Sequence, residues 1–249
     1  MEFSLSLEGR GIQGEGENSQ KTYFIPLKQK FILIFEEIKG RSLFGNNLKP
    51  SHLFEVGKAL ATLHKVTHRE AQTLRSHRFD RKGLLKVYKE IKTKLIKKHP
   101  EVDKLIQQTF LYLKKNEPKK IPSGLIHADL FPENILFIKN KLNGILDFEA
   151  AGFGPYLFDV AVTLHACCHN GKKFDLKKAQ SFLKGYESTR RLTPVEKKYF
   201  NYYMTESALR FLLTRLRDFE LKDGPVKASP FKDYREFVRR FEEIKTFKP

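Results

Sequence analysis

The stretch from Leu125 to Glu149 constrains this chain more than any other part of it. It reads LIHADLFPENILF, then a lysine-rich turn, then GILDFE, so that His127, Asp129, Asn134 and Asp147 form the pattern H-x-D-x4-N followed by D-F. Leu125-Ile126 enters as a short apolar run, and Asp129 to Pro132 reads as a proline-broken loop. Ile135 to Ile138 has the character of a strand, Lys139 to Gly144 that of a hairpin turn, and Ile145-Leu146 that of a returning strand. A hairpin of this kind carries Asn134, just before its first strand, alongside Asp147, just after its second. Two ligands of one ion need that placement.

Two carboxylates and a carboxamide beside such strands suit phosphoryl transfer. That reaction asks for a base to receive the acceptor's proton and for oxygen ligands that keep a metal on the phosphates. Asp129 fits the base, with Asn134 and Asp147 as hard-oxygen ligands of Mg²⁺ and ATP as the donor. A lone Asp before a proline loop is ordinarily a turn residue. Four matching polar positions around one hairpin favour a site. His127 joins the catalytic set as its least specific member, because a histidine in such a loop more often braces backbone carbonyls than transfers protons.

Composition bounds the remaining classes. A length of 249 residues with 40% hydrophobic content supports a sizeable core in one large domain or two. The longest apolar run, Phe31 to Phe35, is too short to cross a membrane, and the N-terminal MEFSLSLEGRG lacks the layout of a signal peptide. The two cysteines, Cys167 and Cys168, are neighbours and suit neither a structural disulfide nor a metal quartet. A cytoplasmic enzyme with no membrane partner is expected. The net charge of +18 raises nucleic-acid binding as a rival. The lysines of the helical segments, among them Lys82, Lys86, Lys89 and Lys92, fall on solvated faces without a base-stacking strand, so no nucleic-acid partner is expected.

Strand signals come first along the chain and helices dominate afterwards. Thr22 to Leu27 and Lys30 to Phe35 read as paired strands around a Lys28-Gln29 turn, and Glu36 to Ser42 leaves the sheet. Ser51 reads as the N-cap of an amphipathic helix carrying Leu53, Val56, Leu60 and Leu63. Further helices are expected over roughly 82–97, 101–115, 156–168, 175–188, 194–219 and 231–244.

At this point a family resemblance becomes specific. GLIHADLFPENILF at 124–137 and LNGILDFEAAGFGPYLFDVAVTLHACC at 142–168 resemble the aminoglycoside phosphotransferase and choline kinase group, which has a protein-kinase-like two-lobed fold. ALRFLLTRLRDF at 208–219 is most similar to the bacterial type II homoserine kinases, and VGKALATLH at 56–64 and FILIFEEIKGRS at 31–42 add to the likeness, which covers about residues 22–247. The resemblance implies that Glu36, Glu37 and Ile38 form the hinge pairing with adenine, and that Asp159 is a buried aspartate bracing the catalytic loop. It also implies an amino-acid acceptor, whose carboxylate and ammonium Arg210, Arg215 and Asp218 could pair. The implied reaction is phosphorylation of L-homoserine, a step of threonine synthesis. Another small hydroxyl compound (an aminoglycoside, choline or methylthioribose) is the alternative acceptor, and a non-catalytic fragment the alternative class.

The N-terminal end departs from the family pattern. About thirty residues precede Phe31, room for one hairpin and a leader rather than a complete small lobe. The leader contains Gly9-Arg10-Gly11-Ile12-Gln13-Gly14, a literal G-x-G-x-x-G without the strand context that would make it a phosphate loop. Lys21, Lys28 and Lys30 compete as the phosphate-pairing lysine, with no helix to offer a glutamate partner. The expectation is an α/β (α+β) fold with a reduced β lobe and hinge over 1–40 and a large, mostly helical catalytic lobe over 41–249, whose hairpin spans about 134–147. Weak turnover by the isolated chain is expected with it.

Overall fold

A strand turn and two further short sheets serve a body built mainly of helices. The computed structural model describes residues 22–27, 30–35, 37–66, 75–169, 173–222 and 233–246. Thr22–Leu27 (β1) and Lys30–Phe35 (β2) pair antiparallel, with Thr22 opposite Phe35 and Leu27 opposite Lys30, as the alternation of these runs predicts.

The first helix, Pro50–Leu63 (α1), begins one residue before its expected cap. Pro50 occupies the first helical position, where its missing N–H costs nothing, so Lys49 becomes the N-cap and Ser51 falls inside the first turn. The Lys49 amide donates to His52 Nδ1 at 3.0 Å, an improvised capping arrangement. Arg81–Lys98 (α2) starts at Asp80, whose carboxylate accepts from the Gly83 amide at 2.8 Å. Pro100–Lys115 (α3) opens on a proline and on two first-turn acids, Glu101 and Asp103.

Ser123–Ile126 (β3) leads into the H-x-D segment. Ile135–Ile138 (β4) and Lys141–Ile145 (β5) form the hairpin. Its turn is tighter than the composition suggests. Lys139, at φ 55°, lets the chain reverse within two residues, so the returning strand starts at Lys141 rather than at Ile145. Gly152–Pro155 (β6), which carries no strand signal of its own, pairs antiparallel with β3.

Tyr156–Cys167 (α4) and Phe200–Arg215 (α7) are the centre of the core. Every residue of α4 except Ala166 is buried, and α7 is buried around nearly its whole circumference, the pattern of helices with no solvent face. Leu176–Thr189 (α5) lies against α1, and Pro194–Lys198 (α6) is a short helix held by a Thr193–Glu196 capping box. The single helix expected over 194–219 is thus interrupted at Tyr199. It also ends in a wide turn over Leu216–Glu220, where the Leu221 amide reaches back five residues to the Leu216 carbonyl at 2.8 Å. Arg235–Thr246 (α8) docks on this core through Glu236, which receives both Arg215 and Arg240, while Arg240 Nη1 also donates to the His165 carbonyl at 2.6 Å.

Two glycines let α1 and α5 approach backbone to backbone. A Cβ on Gly57 would overlap the Phe182 carbonyl oxygen and stand 2.8 Å from the Tyr186 nitrogen, and one on Gly185 would overlap the Phe54 carbonyl. Gly57→Ala is therefore expected to destabilise the fold by about 1–3 kcal/mol through overpacking. Urea denaturation would show it as a lower midpoint; an unchanged midpoint would mean that the two helices separate freely.

Candidate active site

The H-x-D segment is held from below by one buried carboxylate. Asp159, on α4, accepts from the His127 amide at 2.7 Å and from the Ala128 amide at 2.8 Å. Its third donor is His64 Nε2 at 3.1 Å, and His64 Nδ1 in turn accepts from the Tyr186 hydroxyl at 2.7 Å. The two contacts fix His64 as the Nε2–H tautomer. Burial drives the His64 pKa down and keeps the ring neutral. Burial alone would push the Asp159 carboxyl up. The His64 hydrogen bond and the donors of the loop outweigh that and hold it below the usual carboxylate range.

These donors stabilise a strained turn. Ala128 sits at φ 62°, a left-handed conformation that costs a non-glycine residue about 1–2 kcal/mol. Both ring nitrogens of His127 are engaged: Nε2 donates to the Leu146 carbonyl at 2.9 Å and Nδ1 accepts from the Asp129 amide at 3.3 Å. His127 thereby ties the loop to the far end of the hairpin. Asp147, the next residue after Leu146, is also left-handed at φ 62°. Two strained residues thus sit at the two ends of the His127 tie, a common mark of functional geometry.

The hairpin sets Asn134 opposite Leu146, the residue before Asp147. The Leu146 amide donates to the Asn134 carbonyl at 2.8 Å, and Asn134 Nδ2 donates to the Asp129 carbonyl at 2.9 Å. The second contact orients the amide, leaving Oδ1 as its free end. Asp147 is exposed at the turn and its carboxylate makes no capping bond. Two hard-oxygen donors of this kind suit Mg²⁺, which takes one or two protein oxygens and fills the rest of its shell from phosphates and water. No group of three or more His, Cys, Asp or Glu suited to a metal occurs among the described residues.

Asp129 faces Arg210. One guanidinium nitrogen of Arg210 pairs with the Asp129 carboxylate, which is 28% exposed at its side chain against 5% for the arginine. The guanidinium lies over the Phe79 ring at 4.1 Å and the Phe211 ring at 4.4 Å, an aromatic slot that suits a weakly hydrated cation. Burial lowers the Arg210 pKa, with Asp129 opposing. Arg210 Nε and Nη1 are buried with no hydrogen-bond partner among the described residues.

The other expected site residues are placed differently. Arg215 donates to the Asp233 carbonyl at 2.9 Å and to Glu236, and its guanidinium lies over Phe237 at 4.4 Å, so it is engaged by α8. Asp218 pairs with Arg217, at 2.6 and 3.0 Å. Glu37 and Ile38 belong to a segment running along the hairpin: Ile38 packs on Gly144, Asn143 Nδ2 donates to the Lys39 carbonyl at 2.8 Å, and Arg41 and Phe137 exchange backbone bonds of 3.0 Å. Glu36, the glycine-rich leader, Lys21 and Lys28 lie outside the described residues, as does the side chain of Lys30. His64 and Phe79 are constituents that residue-by-residue reasoning missed. The signal for His64 was a polar residue closing the apolar stripe of α1; Phe79 gave none.

The chain that carries this braced loop and hairpin matches a known family. Residues 14–192 match the model of the phosphotransferase enzyme family. The chain belongs to that family. Among curated relatives of this phosphotransferase-family chain, the homoserine kinase of Mesorhizobium japonicum is 35% identical over 192 residues, which is 76% of this chain and 59% of the relative. The chain thus spans less than two thirds of the length of such relatives. Among solved structures, the ethanolamine kinase of Plasmodium vivax superposes with a TM-score of 0.65 at 14% identity, over 91% of this chain and 67% of that one. An amicoumacin kinase in complex with AMP-PNP, Ca²⁺ and its ligand superposes with a TM-score of 0.61 at 19% identity, over 90% and 69%. These likenesses establish the protein-kinase-like fold, with a mostly helical main lobe and small sheets. No helix among the described residues is long and apolar enough to cross a membrane.

Proposed function

We propose that this chain carries the catalytic centre of an ATP-dependent kinase of L-homoserine. The observation that carries the reading is the contact between Asp129 and Arg210, which sets a cation for an acceptor carboxylate beside the group suited to take the acceptor's proton. In the reaction the bond between the γ-phosphorus and its bridging oxygen breaks and one to the acceptor's hydroxyl oxygen forms. The hydroxyl proton passes to an Asp129 oxygen, and ADP leaves. Asn134 Oδ1 and the Asp147 carboxylate would hold Mg²⁺, which when bound neutralises charge on the phosphates. His127 keeps the loop in register with Asp147, and Asp159 holds the strained turn beneath. The backbone near Glu37 and Ile38 would take the adenine. Arg215 and Asp218 could serve an acceptor only by exchanging their present partners.

Supporting the choice of acceptor are the homoserine kinase names of the curated relatives. ADP release from ATP and Mg²⁺ should therefore depend on homoserine and not on choline or an aminoglycoside. Release with either of the latter alone would replace the acceptor. Silence with all three, from protein shown to be folded, would end the kinase reading for this chain.

A further inference from the structure

The ion pairs along α7 leave one charge over. Tyr202, Glu206 and Arg210 are spaced four residues apart and share one face of the helix, about 6 Å per step. Segment 77–81 lies along that face: Phe79 covers Arg210, and Arg81 donates to the Tyr202 hydroxyl. Arg210 is matched by Asp129, and Arg81 by Glu117. Asp80 is spent capping α2. Glu206 is 8% exposed and has no hydrogen-bond or ion-pair partner among the described residues.

A buried carboxylate without a partner is costly unless it takes up a proton or something supplies the missing cation. Burial pushes the Glu206 carboxyl up to about 7, against the pull of Arg81 and with Glu117 and Asp80 adding to the rise. One turn along the same face, Arg210 keeps Nε and Nη1 unpaired. A carboxylate without a protein partner and unsatisfied cationic donors, a helical turn apart and beside Asp129, form the complement of a zwitterion.

We propose that Glu206 binds the ammonium group of the acceptor while Arg210 takes its carboxylate, so that α7 selects an α-amino acid and presents its hydroxyl to Asp129. This assignment rests on the kinase reading of the same site. It adds a cation subsite on a residue of α7 that no sequence pattern marks. Each buried charge of the face then has a partner: Arg210 meets a carboxylate, and Glu206 an ammonium.

Calorimetric titration of the full chain, saturated with Mg²⁺ and a non-hydrolysable ATP analogue, tests it. The ligands are L-homoserine and 4-hydroxybutanoate, which keeps the hydroxyl and carboxylate but lacks the ammonium. A charge-assisted contact predicts a preference of roughly 10- to 100-fold for homoserine in the wild type. Glu206→Gln should bring that ratio close to one, and Glu206→Asp should restore part of it. Thermal melts of each variant confirm folding. A ratio unchanged in Glu206→Gln, an equal loss for both ligands, or no preference in the wild type would each overturn the subsite. Parallel ADP-release assays separate the two claims. Binding with the expected preference but no ADP release would end the kinase reading and leave the subsite standing. ADP release with equal efficiency from both acceptors would do the reverse.

Discussion

Asp129→Asn is expected to lower turnover by about 10²–10⁴-fold, the usual contribution of a positioned general base. Asparagine is close in volume and keeps a carbonyl oxygen for Arg210, so the arginine stays in its slot between Phe79 and Phe211. What is lost is the negative charge and the proton affinity. The affinity for ATP should change little, because the nucleotide's expected ligands, Asn134 and Asp147, are untouched. Asn134 Nδ2 bonds to the backbone carbonyl of residue 129 rather than to its side chain, so the substitution does not disturb it. A stability cost of about 1–3 kcal/mol should accompany the loss, since the buried guanidinium exchanges an ionic partner for a neutral one. Single-turnover ADP release and a urea melt read the two effects separately. Retention of more than about a tenth of wild-type turnover would remove Asp129 from the role of base.

Asp159→Ala should have the largest effect on stability. It strands three donors at once: the His127 amide, the Ala128 amide and His64 Nε2. At about 1–3 kcal/mol for each buried group left unsatisfied, the sum is roughly 3–9 kcal/mol, a large share of the stability of a typical domain. The left-handed turn at Ala128 loses what holds it, so the loop should relax and turnover fall along with stability. Asp159→Asn is not a mild substitute, because its NH₂ must face a donor that the carboxylate oxygen had accepted. Hydrogen exchange at the amides of residues 127 and 128 gives the specific readout, with a urea midpoint for the whole fold. A loss below about 1 kcal/mol would mean that water or His64 satisfies the loop instead. Because the folded Asp159 carboxyl lies below its unfolded value, its stabilisation is present above the ordinary carboxylate pKa and lost as pH falls through the lowered one.

The sequence disclosed the elements whose signals are local. The paired strands β1 and β2, the extents of α2, α3, α4 and α5 to within a residue or two, and the hairpin that sets Asn134 opposite Leu146 all follow from periodicity and turn chemistry over short spans. It concealed what depends on distant partners. β6 has the composition of a loop and becomes a strand because β3 lies beside it. The pairing of Arg210 with Asp129 joins residues 81 positions apart, and nothing in an arginine on a helix says which carboxylate it will meet. Glu206 was invisible for a related reason: a glutamate on an exposed face and one left alone in a core look the same in sequence. The cap of α1 shows a nearer failure, where Pro50 overrode a well-placed serine.

The position of α7 has a consequence for how such a protein can change over generations. The helix is core on almost every side, yet Asp129 and the unpaired groups beside it look onto one narrow stripe of it. A substitution that re-tunes which molecule is accepted there must also re-pack the interior, so drift in selectivity and drift in robustness are tied together. New specificities in this lineage should arise more readily on the surrounding loops, such as segment 77–81, than on the helix itself.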